Sequence, residues 1–75
     1  MKEFIEYIAK SLVDDPSQVS VNEVVGANSI IIELHVASSD MGRVIGKGGR
    51  VANAMRTLVR VAAAKEGKRV TLEIV

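Results

Sequence analysis

The stretch MGRVIGKGGRV, residues 41–51, constrains the fold more than any other part of the sequence. It places four glycines and three basic residues among aliphatic ones, and three of the glycines fall within residues 46–49. Each glycine in a helix interior costs about 1 kcal/mol relative to alanine, so one continuous helix is unfavourable here. We predict two helices, one ending near Ile45 and one starting near Arg50, joined by a tight turn without side chains at its tip.

Two phosphate-binding motifs rich in glycine are excluded by their spacing. A P-loop has four residues between its glycines and a Ser or Thr after its lysine. Here three residues separate Gly42 from Gly46, and Lys47 is followed by Gly48. A dinucleotide-binding fingerprint needs another glycine at the position of Val51, and its turn follows a strand directly. Neither nucleotide hydrolysis nor dinucleotide binding is therefore predicted.

Hydrophobic periodicity assigns the segments on both sides of this turn. Apolar residues recur at helical spacing near the start of the chain until Asp-Asp-Pro at residues 14–16 ends the helix. The run IIIELHV alternates, with Ile30, Ile32, Leu34 and Val36 on one face. The predicted elements are a helix over 2–13, strands over 19–25 and 30–36 joined by a hairpin at 26–29, helices over 41–45 and 50–65, and a strand over 69–75.

The order α-β-β-α-α-β predicts an α+β fold. Each strand has one apolar face, so a three-stranded mixed sheet should carry all its helices on one side. The two-helix crossover favours a parallel pair of strands with a right-handed connection. IIIELHV is the most apolar strand and should be central in the sheet. Ser38, Ser39 and Asp40 offer N-cap side chains to the short helix. The predicted inner stripe of the long helix is Val51, Met55, Leu58 and Ala62.

Composition and charge limit the possible functions. The 75 residues suffice for one domain, residues 1–75, and include no cysteine and one histidine, His35, so we predict no metal site, cofactor or catalytic centre. No apolar run is long enough for a membrane span and no signal peptide is recognisable, so a soluble, cytoplasmic domain is expected. Residues 1–40 carry two basic and seven acidic residues, net −5, whereas residues 41–75 carry eight basic and two acidic, net +6. The basic half suggests a polyanion-binding surface, although a merely solvated helix face fits equally well.

The glycine turn itself has the chemistry of a nucleic-acid contact. Without side chains at the tip, a sugar-phosphate backbone can lie against the main chain, and amides at the next helix N-terminus can donate to phosphate. Lys47 adds a mobile positive charge, with Arg43 and Arg50 on the flanking turns. The alternative interpretation is a helical hairpin whose glycines serve geometry only.

The residues Val44-Ile45-Gly46-Lys47-Gly48-Gly49-Arg50-Val51 resemble the signature of the KH (K homology) RNA-binding domain, an aliphatic pair followed by Gly-x-x-Gly and another aliphatic residue. The order of elements is similar to the type II form of that fold, and Asp40-Met41-Gly42-Arg43 resembles the small bacterial single-domain members. Gly48 is a departure, because many relatives carry a side chain there. The resemblance implies that the turn clamps about four nucleotides of single-stranded RNA or DNA. The site residues so implied are Arg43, Val44, Ile45, Gly46, Lys47, Gly48, Gly49 and Arg50, with Ile32 or Leu34 as the strand wall of the groove.

The resemblance further implies an RNA chaperone or post-transcriptional regulator, linked to cell shape and cell-wall synthesis together with a second KH-containing partner. The alternative is an assembly module in which the fold mainly serves dimerisation. A homodimer, or a heterodimer with another KH protein, is expected because one groove binds few nucleotides. The candidate apolar contacts for such pairing are Ile31, Val61 and Val75.

Overall fold

A computed structural model describes residues 1–75 and confirms the predicted order of elements. The long helix has the predicted bounds, and the other boundaries shift by at most one residue. Gly67 follows the end of the last helix in a left-handed conformation, with a φ of 69°. The elements are α1 (Lys2–Leu12), β1 (Ser20–Val25), β2 (Ser29–His35), α2 (Met41–Ile45), α3 (Arg50–Lys65) and β3 (Arg69–Ile74), with short 3₁₀ turns at Pro16–Gln18, Ser38–Asp40 and Lys47–Gly49.

The strands form one mixed sheet in the order β1-β2-β3, with β2 in the centre as predicted. β1 pairs antiparallel with β2, so that Val21 faces Leu34. β2 and β3 run parallel, with Ile32 opposite Leu72. This arrangement leaves β1 and β3 as the two edge strands.

The core lies between the sheet and the helices. Ile30, Ile32, Leu34 and Val36 all point into it and are at most 5% exposed, as the alternation predicted. α1 contributes Ile5 and Ala9, and α2 contributes Val44. The opposite sheet face carries the exposed Ile31 and His35, so the helices cover one face only.

The predicted inner stripe of α3 is partly wrong. Met55 is buried and Val51 is half-buried, but Leu58 is 50% exposed and Ala62 is also exposed. The buried residues of this helix are Ala52, Met55, Val59 and Ala63. The helix is therefore rotated from the predicted orientation by less than one residue, roughly 75°. Two of the buried positions are small alanines, Ala52 and Ala63, whereas hydrophobic periodicity favours the larger Leu58.

Asp40 has a different role from the predicted N-cap. Its side chain makes no capping hydrogen bond to α2. Instead, the two carboxylate oxygens accept the backbone N–H groups of Asp14 and Asp15 at 3.1 and 3.2 Å. Since Asp40 is only 1% exposed, this buried carboxylate fixes the turn after α1 against the start of α2.

Candidate nucleic-acid interface

The site is a helix–turn–helix unit built from α2, the glycine loop (Gly46, Lys47, Gly48 and Gly49) and α3. α2 ends where the Gly46 N–H donates to the Gly42 carbonyl at 2.9 Å. One 3₁₀ turn follows, closed by a 3.1 Å bond from the Gly49 N–H to the Gly46 carbonyl. α3 then starts at Arg50 with no side chain capping it. The Gly49 and Arg50 amides donate to the Gly46 and Lys47 carbonyls of this turn. What the loop offers an anion is therefore the positive end of α3 beside an exposed tip.

Gly46 is required by the backbone itself. Its φ of 79° and ψ of 170° lie in a region that only glycine enters readily. A Cβ at this position would lie 2.6 Å from Cγ2 and 2.9 Å from the backbone nitrogen of Val51. Gly46 therefore packs the loop directly against the first turn of α3.

The loop tip is open. Gly48 and Gly49 also have positive φ, so geometry accounts for all three loop glycines, and their number alone does not indicate a ligand. A Cβ on Gly48 would meet no heavy atom within 4 Å. Lys47 and Gly48 are both exposed, which leaves the tip sterically accessible to a ligand.

The three predicted basic residues differ in their partners. Lys47 and Arg50 are exposed and form none of the ion pairs of this structure. Arg43 is paired, with Nη2 3.2 Å from the Asp14 carboxylate and Nε 3.9 Å from that of Asp40. Lys47 and Arg50 are therefore the free charges at the loop, whereas Arg43 shares its charge with two carboxylates.

The aliphatic residues at the site also differ. Ile45 is 38% exposed and available to a ligand, but the Val44 side chain is completely buried and supports the loop from the core. Ile32 and Leu34 are likewise 0% exposed. The expectation that either of them forms the strand wall of an open groove is therefore wrong.

A shallow groove lies between α3 and the edge strand β3, and the sequence pattern did not predict it. Its lining includes Arg56, Arg60 and Thr71. The Arg56 guanidinium reaches across it, donating from Nε to the Leu72 carbonyl at 3.4 Å and from Nη1 to Asn53 Oδ1 at 3.2 Å. The spacing of Arg56 and Arg60, one turn apart on α3, was the available signal. Arg56 and Arg60 therefore extend the positive charge along α3 beyond the loop.

No helix of this fold combines the length and apolar character that a bilayer crossing requires. No group of three or more His, Cys, Asp or Glu side chains is arranged to hold a metal ion. The only histidine of the chain, His35, is exposed on the open sheet face.

The mixed three-stranded sheet and the helix–Gly-x-x-Gly–helix unit define a type II KH domain. The family model described as KhpA/KhpB, KH domain, matches residues 2–74, and the chain belongs to this family. It is a family of KH domains and not of enzymes.

Individual relatives match over nearly their whole length. The chain is 61% identical over 75 residues to the RNA-binding protein KhpA of Clostridium perfringens, covering 100% of both proteins. The identity to the protein of that name from Caldanaerobacter subterraneus subsp. tengcongensis is also 61% over 75 residues. For Chlamydia trachomatis serovar D it is 51% over 74 residues, which is 99% of this chain and 95% of the relative. No solved structure matches the chain significantly.

Proposed function

We propose that this chain binds single-stranded RNA through the glycine loop. The observation that carries the proposal is an N-terminus of α3 without a capping side chain, beside Lys47 and Arg50, which are exposed and form no ion pair. The names of the KhpA relatives support RNA as the polyanion. The proposed contact residues are Arg43, Ile45, Gly46, Lys47, Gly48, Gly49 and Arg50, with Val44 holding the loop from within the core.

Recognition would begin at the RNA backbone. A phosphate at the open tip accepts hydrogen bonds from main-chain amides and is attracted by the positive end of α3. Lys47 and Arg50 neutralise the flanking phosphates. Ile45 offers an apolar surface to a base. The chain has only one Phe and one Tyr, and both lie on α1. A mode based on stacking against several aromatic rings is thereby disfavoured.

The salt dependence of binding tests this proposal. If Lys47, Arg50, Arg43 and one arginine of the α3–β3 groove each contact a phosphate, log affinity should fall with log salt with a slope of about −3, at roughly −0.7 per contact. Fluorescence anisotropy with a labelled single-stranded RNA over a series of salt concentrations measures the slope. A slope near zero would show that the basic half is only solvated.

The finer role is proposed from the family resemblance. We infer a cytoplasmic RNA chaperone or post-transcriptional regulator that acts with a second KH-containing partner in the control of cell shape and cell-wall synthesis. The alternative, an assembly module, has support from exposed apolar side chains outside the loop. Val61 and Val75 are both 54% exposed, and Ile31 is 38% exposed.

Self-association is the testable part of both roles. We expect a homodimer at micromolar concentration, because pairing covers exposed apolar surface and gives one RNA two grooves. Sedimentation velocity with and without RNA measures this. A strict monomer under both conditions, with no KH partner recovered from cell extract, would contradict the proposal.

A further inference from the structure

Arg43 differs from the other basic residues near the loop because two carboxylates hold its guanidinium. Its Nη2 lies 3.2 Å from the Asp14 carboxylate, and its Nε lies 3.9 Å from that of Asp40. Lys47 and Arg50 form no ion pair. A phosphate that binds Arg43 therefore competes with carboxylates of the same chain, whereas a phosphate that binds Lys47 or Arg50 has no such competitor.

The fold fixes the position of Asp14 beside Arg43. Asp14 follows the end of α1, and its backbone N–H donates to the buried Asp40 carboxylate at 3.1 Å. The N–H of Asp15 donates to the other oxygen of that carboxylate at 3.2 Å. Asp40 directly precedes α2, so these two bonds tie the turn after α1 to the helix that carries Arg43. The backbone of Asp14 is thereby anchored, although its side chain lies at the surface.

The two carboxylates differ in how a ligand can affect them. Asp40 is 1% exposed and is bound to two backbone amides, so it stays in place. The side chains of Asp14 and Arg43 are 76% and 57% exposed, so their ion pair is open to solvent. Exposed ion pairs are weak, and the planar donors of arginine bind carboxylate and phosphate in the same way. A phosphate can therefore replace the Asp14 carboxylate on Arg43.

Arg43 lies close enough to the loop for this exchange to affect binding there. It is three residues before Gly46, so the two are neighbours on the surface of α2, about one helical turn apart. In the free chain one guanidinium lies beside two carboxylates, so the local charge around Arg43 is negative. Displacement of Asp14 would make the Arg43 guanidinium available next to the loop.

We propose that Asp14 is an intramolecular competitor of the RNA: its carboxylate holds Arg43 in the free chain and is displaced when a phosphate binds there. This inference rests on the proposed RNA binding. It gives a residue outside the helix–turn–helix unit a role in setting affinity. The contact between Asp14 and Arg43 is autoinhibitory, so its removal should strengthen the binding of single-stranded RNA.

Asp14→Asn tests the inference. Asparagine keeps the size of the side chain and the backbone bond to Asp40, but it removes the charge that holds Arg43. We expect single-stranded RNA to bind about threefold more tightly at moderate salt, which corresponds to the strength of an exposed ion pair. The matched control is Asp15→Asn, which makes the same change in net charge at an exposed neighbour without an ion pair to Arg43. Its affinity should stay within about 1.5-fold of the wild type.

The same substitution in an Arg43→Gln chain completes the experiment. Without the guanidinium, Asp14 has nothing to hold, so Asp14→Asn should then change the affinity by less than about 1.5-fold. Fluorescence anisotropy measures RNA affinity, and circular dichroism checks the melting of each variant. A gain for Asp14→Asn that is absent from both controls supports the inference.

Three results would overturn it. These are no gain for Asp14→Asn, an equal gain for Asp15→Asn, and an equal gain for Asp14→Asn in the Arg43→Gln chain. The proposed function would survive each of them, provided that Asp substitutions in the loop still abolish binding. A wild-type chain that binds no single-stranded RNA would overturn both.

Discussion

The double variant Lys47→Asp, Gly48→Asp is expected to bind single-stranded RNA about tenfold or more weakly than the wild type. It places two negative charges at the open tip, where the proposed phosphate lies. The fold should survive, since both residues are exposed, a Cβ on Gly48 has free space, and aspartate tolerates the left-handed φ of 64° better than most residues. Anisotropy measures affinity, and circular dichroism checks helicity and melting.

A charge-matched control separates a local contact from a change in overall charge. The variant Ala64→Asp, Lys65→Asp makes the same change in net charge near the far end of α3, where both residues are exposed. Its affinity should fall by no more than about threefold at moderate salt, because separated exposed charges are screened. Equal losses in both variants would contradict the assignment of the loop as the phosphate contact.

The second large effect is expected in stability. Gly46→Ala forces alanine into a glycine-only region of φ and ψ and brings its Cβ within 2.6 Å of Val51 Cγ2. Backbone strain of this kind costs about 1–3 kcal/mol. The clash adds to it, so we expect the free energy of unfolding to fall by about 3 kcal/mol, a large part of the roughly 4–11 kcal/mol typical of a domain this size. Urea unfolding followed by circular dichroism measures the loss.

Gly48→Ala is the matched control for that experiment. Gly48 also has positive φ, but its Cβ would be unobstructed, so the expected loss is about 1–2 kcal/mol from the left-handed backbone alone. If Gly46→Ala were no more destabilising than Gly48→Ala, the described packing of the loop against Val51 would be wrong.

The sequence was sufficient for the elements whose signals are local. The alternation of IIIELHV placed Ile30 and Ile32 in the core, and its apolar character placed this strand at the centre of the sheet. The four glycines of residues 41–51 located the turn between α2 and α3. These features depend on residue periodicity and backbone preference, which a sequence displays directly.

Features that depend on tertiary packing were not predictable in the same way. The rotation of α3 is set by its packing in the fold, in which Ala52 and Ala63 are buried, whereas periodicity favoured Leu58. The pairing of Arg43 with Asp14 joins segments distant in sequence, so the motif alone overstated the free charge at the loop. The burial of Val44 was not predictable either, because the motif marks an aliphatic pair without showing which member faces the core.

The central claim, that the glycine loop is the RNA contact, is tested most directly by mapping binding onto individual backbone amides. In a ¹H–¹⁵N NMR titration with a short single-stranded RNA, we predict the largest shift changes at Lys47, Gly48, Gly49 and Arg50. Amides of the open sheet face, such as Ile31, should change little. Shift changes concentrated on that face, or none at the loop at saturating RNA, would contradict the account.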